Sequence, residues 1–70
     1  MKIKEFFENY KHYYNILVSI YRKDNRLESE RDIYTYKEFN NFIKDYGEEE
    51  FKDWTVEYRD ECTQFHFFLK

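Results

Sequence analysis

Seventeen of the seventy side chains are aromatic, eight Phe, eight Tyr and one Trp, while the chain holds one glycine, no proline and no alanine. That load constrains the fold more than any motif does. A chain of this length buries only about 60% of the surface its unfolded form exposes. Rings gain more area per residue than aliphatic side chains, so they let a small core form without disulfides or metals. Eight tyrosines are more than such a core can hold. Tyr and Trp are enriched at protein interfaces, so the surplus hints at binding. The competing explanation is an AT-rich genome, whose codons favour Phe, Tyr, Asn, Ile and Lys. Ile, Leu, Val and Phe make up 18 of 70 residues. That fraction exceeds the roughly 20% below which disorder sets in, so residues 1–70 read as one folded domain.

Compartment follows from what interrupts the apolar runs. The N-terminal stretch carries Lys2, Lys4, Glu5 and Glu8 among its apolar residues, which excludes a signal peptide. The longest apolar runs are Ile16-Leu17-Val18 and Phe67-Phe68-Leu69, far short of the roughly 20 residues that span a bilayer. Cys62 is the only cysteine and has no internal partner, which fits a reducing compartment. A soluble protein in the cytoplasm of a bacterial host cell is expected, with no membrane contact.

Hydrophobic spacing sets the elements. Ile3, Phe6, Phe7, Tyr10, Tyr14 and Leu17 recur at helical intervals, predicting a helix over about 2–14. The β-branched stretch 16–22 favours a buried strand, with Asn15 as the break, although a helical spacing also runs through it. A polar turn over 22–26 follows, and 27–32 reads as a loop or a poor edge strand. Thr35 and Glu38 match a capping box, with Tyr34 and Phe39 placed as a hydrophobic staple. They predict a second helix over 36–46, ended by Gly47 in a left-handed cap. Trp54, Val56 and Tyr58, then Thr63, Phe65, Phe67 and Leu69, alternate as strands of a hairpin with a four-residue turn near Asp60 and Glu61. Phe51, Trp54, Tyr58, Cys62 and Phe65 also keep helical spacing, so a third helix is the rival there. The expected fold is α+β in the order α-β-α-β-β, a short antiparallel sheet packed by two helices. The alternative is a small all-α bundle.

Little in the sequence looks catalytic. Cys62 and His66, with His12, are the only nucleophile and base candidates, and no glycine nearby frees backbone N–H groups for an oxyanion. One Cys and two His lack the paired spacing of a zinc site. Gly47 stands alone, which excludes a glycine-rich phosphate loop. No enzyme activity, metal or cofactor is expected.

Charge is more informative. Residues 1–37 carry eight basic and six acidic groups. Residues 38–61 carry Lys44, Lys52 and Arg59 against nine acids, a net charge of −6. Within that stretch Glu48, Glu49, Glu50, Asp53, Glu57, Asp60 and Glu61 alternate with Phe51, Trp54 and Tyr58. Such a segment repels phosphate backbones and attracts basic grooves, the carboxylates steering and the rings anchoring. These ten residues are the expected partner-binding set, and reversing Glu48, Glu49 and Glu50 to Lys is expected to abolish binding without unfolding the domain. A solvated face that keeps an aromatic-rich chain soluble is the plain alternative. A basic and aromatic set, Lys11, Arg22, Lys23, Arg26 and Arg31 with Tyr13, Tyr14 and Tyr21, points the other way, toward stacking on nucleic acid. Asp24, Glu28, Glu30 and Asp32 dilute it, and a pI near 5.3 is far below a nucleic-acid binder's, so no direct nucleic-acid binding is expected.

In length, in the acidic cluster from Glu48 to Glu61 and in its interleaved rings, the chain resembles the small acidic proteins that phages and mobile elements encode against host defences, anti-CRISPR inhibitors among them. The likeness covers the whole chain in composition and carries no motif. It implies a stoichiometric inhibitor whose partner is a protein with a basic groove, such as a CRISPR effector or another defence nuclease. The second expectation is a structural or regulatory accessory protein that self-associates, as a homodimer, through aromatic helix faces.

Overall fold

A computed structural model describes residues 1–10 and 15–70. The helix expected over about 2–14 stops at Glu8, with Asn9 as its C-cap, and the part over 11–14, with His12, Tyr13 and Tyr14, lies outside the described residues. The chain forms α1 (Ile3–Glu8), β1 (Ile16–Arg22), a tight 3-10 turn (Lys23–Asn25), β2 (Arg26–Ile33), α2 (Tyr36–Tyr46), β3 (Phe51–Tyr58) and β4 (Thr63–Leu69). This is a small α+β domain. The four strands make one sheet in the order β2-β1-β4-β3.

Three further expectations need correction. The order is α-β-β-α-β-β, because the charged stretch after the turn is a full edge strand. Asp24 and Asn25 both adopt positive φ, 64° and 57°, giving the tight turn that a hairpin needs without glycine. Once the turn fixes the register, β2 pairs with β1 from Arg26 to Ile33 although only Ile33 is buried. An edge strand needs little apolar content, and charge protects it from adding further strands. Secondly, the sheet is mixed. Two antiparallel hairpins, β1–β2 and β3–β4, join through a parallel pair, β1 with β4. The two most apolar strands thus sit in the middle, and α2 carries the chain from one edge to the other. Thirdly, Gly47 is right-handed (φ −58°, ψ −32°), not left-handed. Its lack of a side chain matters for space: an added Cβ would lie 2.4 Å from the Ile43 carbonyl oxygen.

Other readings hold. Asn15 breaks the chain before β1 with φ 59°. Thr35 Oγ1 accepts from the Glu38 N–H at 3.2 Å, and the Glu38 carboxylate accepts in return from Tyr34 N–H at 3.1 Å. The stretch 51–69 is strand, and its four-residue connection closes with mutual backbone bonds between Arg59 and Cys62.

Both helices pack on one face of the sheet. Ile16, Val18 and Ile20 of β1 and Phe65, Phe67 and Leu69 of β4 alternate onto that face and meet Ile3, Phe7, Phe39 and Phe42. Rings carry the contacts: Phe7 lies edge-on to Phe39 at 5.4 Å and to Phe65 at 5.5 Å, and Phe6 edge-on to Phe67 at 5.2 Å. These edge-to-face geometries suit the ring quadrupoles. A six-residue helix such as α1 is not stable alone. It is held by its start, where the N–H groups of Ile3 and Lys4 donate to the carbonyls of Glu49 and Gly47, both at 3.0 Å.

Candidate functional site

The ten acidic and aromatic residues expected to bind a partner fall into separate places. Glu48, Glu49 and Glu50 are occupied within the molecule. Glu48 takes Lys4 Nζ at 2.6 Å and Lys2 Nζ at 2.9 Å. Glu49 takes Arg22 at 3.1 Å, and Glu50 takes the Met1 amino group at 3.1 Å. Hydrogen bonds from Lys4 and Lys2 push the Glu48 carboxyl down to about 2. The Met1 amino group lowers Glu50, while Glu28 and Glu49 raise Arg22 further above its usual range. The strongest acidic run in the sequence therefore ties α1 and β1 to the α2–β3 connection.

Period two divides the remainder. Trp54, Val56 and Tyr58 pair with Phe67, Phe65 and Thr63 and share the helix side of the sheet. Phe51 is in the core at 8% exposure, whereas Trp54 and Tyr58 reach solvent at 40% and 78%. Asp53 and Glu57 pair with Phe68 and Gln64 and point to the opposite side. Asp53 also accepts from its neighbour's N–H, Trp54, at 2.9 Å. Asp60 and Glu61 stand exposed in the β3–β4 connection. Carboxylates and rings that interleave along the chain lie on opposite faces once the segment is a strand.

Acid and ring meet instead on the sheet face that neither described helix covers. Side chains of directly paired residues share a face. The register then gives three rows across the sheet from β2 to β3: Asp32, Leu17, Gln64, Glu57; Glu30, Ser19, His66, Thr55; and Leu27, Tyr21, Phe68, Asp53. The centre is ordered by hydrogen bonds. Tyr21 Oη is 2.8 Å from His66 Nδ1, and His66 Nε2 is 2.6 Å from Glu57 Oε1. Gln64 Nε2 donates to Ser19 Oγ at 3.0 Å, which donates to Glu30 at 2.8 Å. Tyr21 stacks on Phe68 with centroids 4.7 Å apart. Ser19 and Gln64 are 0% and 3% exposed, so their polar groups depend on this network. One atom is left out: Gln64 Oε1 is buried with no donor among the described residues. An unmet buried acceptor costs about 1–3 kcal/mol.

Sequence reading missed Leu17, Glu30, Asp32, His66 and Phe68 as one surface. The signal was the parity of the two central strands, where Ser19, Gln64 and His66 alternate with apolar residues that a wholly buried strand would not need.

The other candidates are spread apart. Cys62 is half-buried in the β3–β4 connection, while His66 lies four residues on, about 13 Å along an extended strand. Arg22 is held by Glu28 and Glu49, and Arg31 by Asp45 at 2.6 Å. Among the described residues no group of three His, Cys, Asp or Glu is placed to hold a metal ion. No described helix is long and apolar enough to cross a membrane. No family model, no curated protein and no solved structure matches the chain.

Proposed function

We propose that this protein is a non-enzymatic binding protein that blocks a basic, nucleic-acid-handling partner, in the manner of anti-CRISPR-type inhibitors encoded by phages. The observation that carries the reading is the uncovered sheet face. Glu30, Asp32, Asp53 and Glu57 stand at its two margins around the stacked Tyr21 and Phe68, with Lys52 at one end as its basic neighbour. Carboxylates pair with the Lys and Arg of the partner's groove, and the rings seat against its apolar surface. The aromatic stripes that self-association would use, Phe7 of α1 with Phe39 and Phe42 of α2, are packed against the sheet.

The test is capture of partners from a bacterial lysate containing defence nucleases, at low and high salt, read by mass spectrometry. One stoichiometric nucleic-acid enzyme, released as salt screens the charges, is the expected result. Recovery of the protein alone, as a dimer by sedimentation, would replace this reading with self-assembly.

A further inference from the structure

Resting on that reading, we infer that the open face is the seat of a cationic amphipathic helix supplied by the partner, lying along the strands between the two acidic margins. The dimensions suit it. The margins are the edge strands β2 and β3, three strand intervals apart, hence about 14 Å. A helix with its side chains is about 10–12 Å across, so its flanking Lys and Arg reach both margins at once. β4, the seven-residue strand beneath it, is about 23 Å long, which a helix of about 15 residues matches.

Chemistry assigns each part of the occupant. Its apolar stripe meets Leu17, Tyr21 and Phe68 in the middle of the face, with Leu27 at one end. Its cations meet Asp32 and Glu30 on one side and Asp53 and Glu57 on the other. The other occupants fit worse. A second copy would bring the same carboxylates against themselves, and a nucleic acid would bring phosphates. An added strand would need a free edge, but β2 is charged with a register shift opposite Ile20, and β3 has a register shift between Phe51 and Asp53.

The experiment titrates the isotope-labelled full chain with three synthetic peptides of one Lys and Leu composition, recording amide NMR shifts. One peptide is patterned as an amphipathic helix, one is its scramble, and one alternates Lys and Leu as a strand. A DNA oligonucleotide is the fourth probe. The expected result is shifts centred on Leu17, Ser19, Tyr21, Gln64, His66 and Phe68. The helical peptide should bind at least about tenfold tighter than the other two, and Asp32→Lys with Asp53→Lys should remove that advantage. Shift dispersion of the double variant reports its fold independently. Equal binding of the scramble, a footprint on the helices or on the β2 edge, or the oligonucleotide occupying the face would each overturn the inference. If the captured partner still needs Asp32 and Asp53 while the helical peptide gains nothing over its scramble, the helix is wrong and the binding face stands. If neither responds to the reversal, both readings fail.

Discussion

The two faces of the sheet are built from the same strands one residue out of step, and they differ in kind. The covered face presents Ile16, Val18 and Ile20 beside Phe65, Phe67 and Leu69, all apolar and buried under the helices. The open face presents Leu17, Ser19 and Tyr21 beside Gln64, His66 and Phe68, joined by hydrogen bonds and bounded by carboxylates. Any apolar residues of similar volume would serve the first face reasonably well. The second depends on particular partners, Tyr21 with His66 with Glu57 and Gln64 with Ser19 with Glu30. Stability therefore resides on the covered side, and the proposed recognition is assigned to the other.

Phe67 and Phe68 are adjacent in β4 and give the sharpest way to break that contrast. Phe67→Ala removes a ring that is 0% exposed and should cost about 3–5 kcal/mol, most of the stability of a domain this small. Phe68→Ala removes a half-buried ring stacked on Tyr21 and should cost about 1–2 kcal/mol, while weakening partner binding at least about tenfold. Urea denaturation of the two variants checks the first difference, and partner affinity checks the second. Equal losses of stability would mean that the open face is a second core.

Gln64→Met sharpens the comparison from the other side. It removes the acceptor that has no donor among the described residues along with one neutral hydrogen bond, so a gain of about 1 kcal/mol in urea is expected. A loss of that size would show that the amide is fully satisfied in solution.

The smallest effect concerns the acidic run. Glu48 is depressed to about 2 by Lys4 and Lys2, so its contribution is complete above the ordinary carboxylate range and is lost as pH falls toward 2. Glu28 and Glu50 are shifted in the same direction. Urea midpoints measured from neutral pH down to about pH 2 should fall through that window, and Glu48→Gln should flatten the fall. An unchanged acid limb in the variant would show that the pairing is absent in solution. Reversal of Glu48, Glu49 and Glu50 to Lys breaks the contacts that hold α1, so loss of binding in that triple variant would not isolate recognition from folding.

Much of the architecture was legible because its signals are local. The capping residues Thr35 and Glu38, the break at Asn15 and the alternation through 54–69 each act within a few residues. What was not legible is set by pairing at long range. β2 has almost no apolar content and is a strand because a turn at Asp24 and Asn25 hands it to β1. The parallel β1–β4 contact joins residues more than forty apart in sequence, Ile16 beside Thr63. The acidic run read as a binding surface because its cations, Lys2, Lys4, Arg22 and the Met1 amino group, come from the other end of the chain. Likewise Trp54 and Tyr58 seemed to accompany Asp53 and Glu57 until the strand sent them to opposite faces.

The central claim is that recognition belongs to the open face, and the affinity of the captured partner for the Asp32→Lys, Asp53→Lys double variant tests it most directly. Both side chains are exposed and absent from the core, so stability should stay within about 0.5 kcal/mol per site. The account predicts a folded protein that no longer holds its partner at low salt. Undiminished affinity in that folded variant would contradict it.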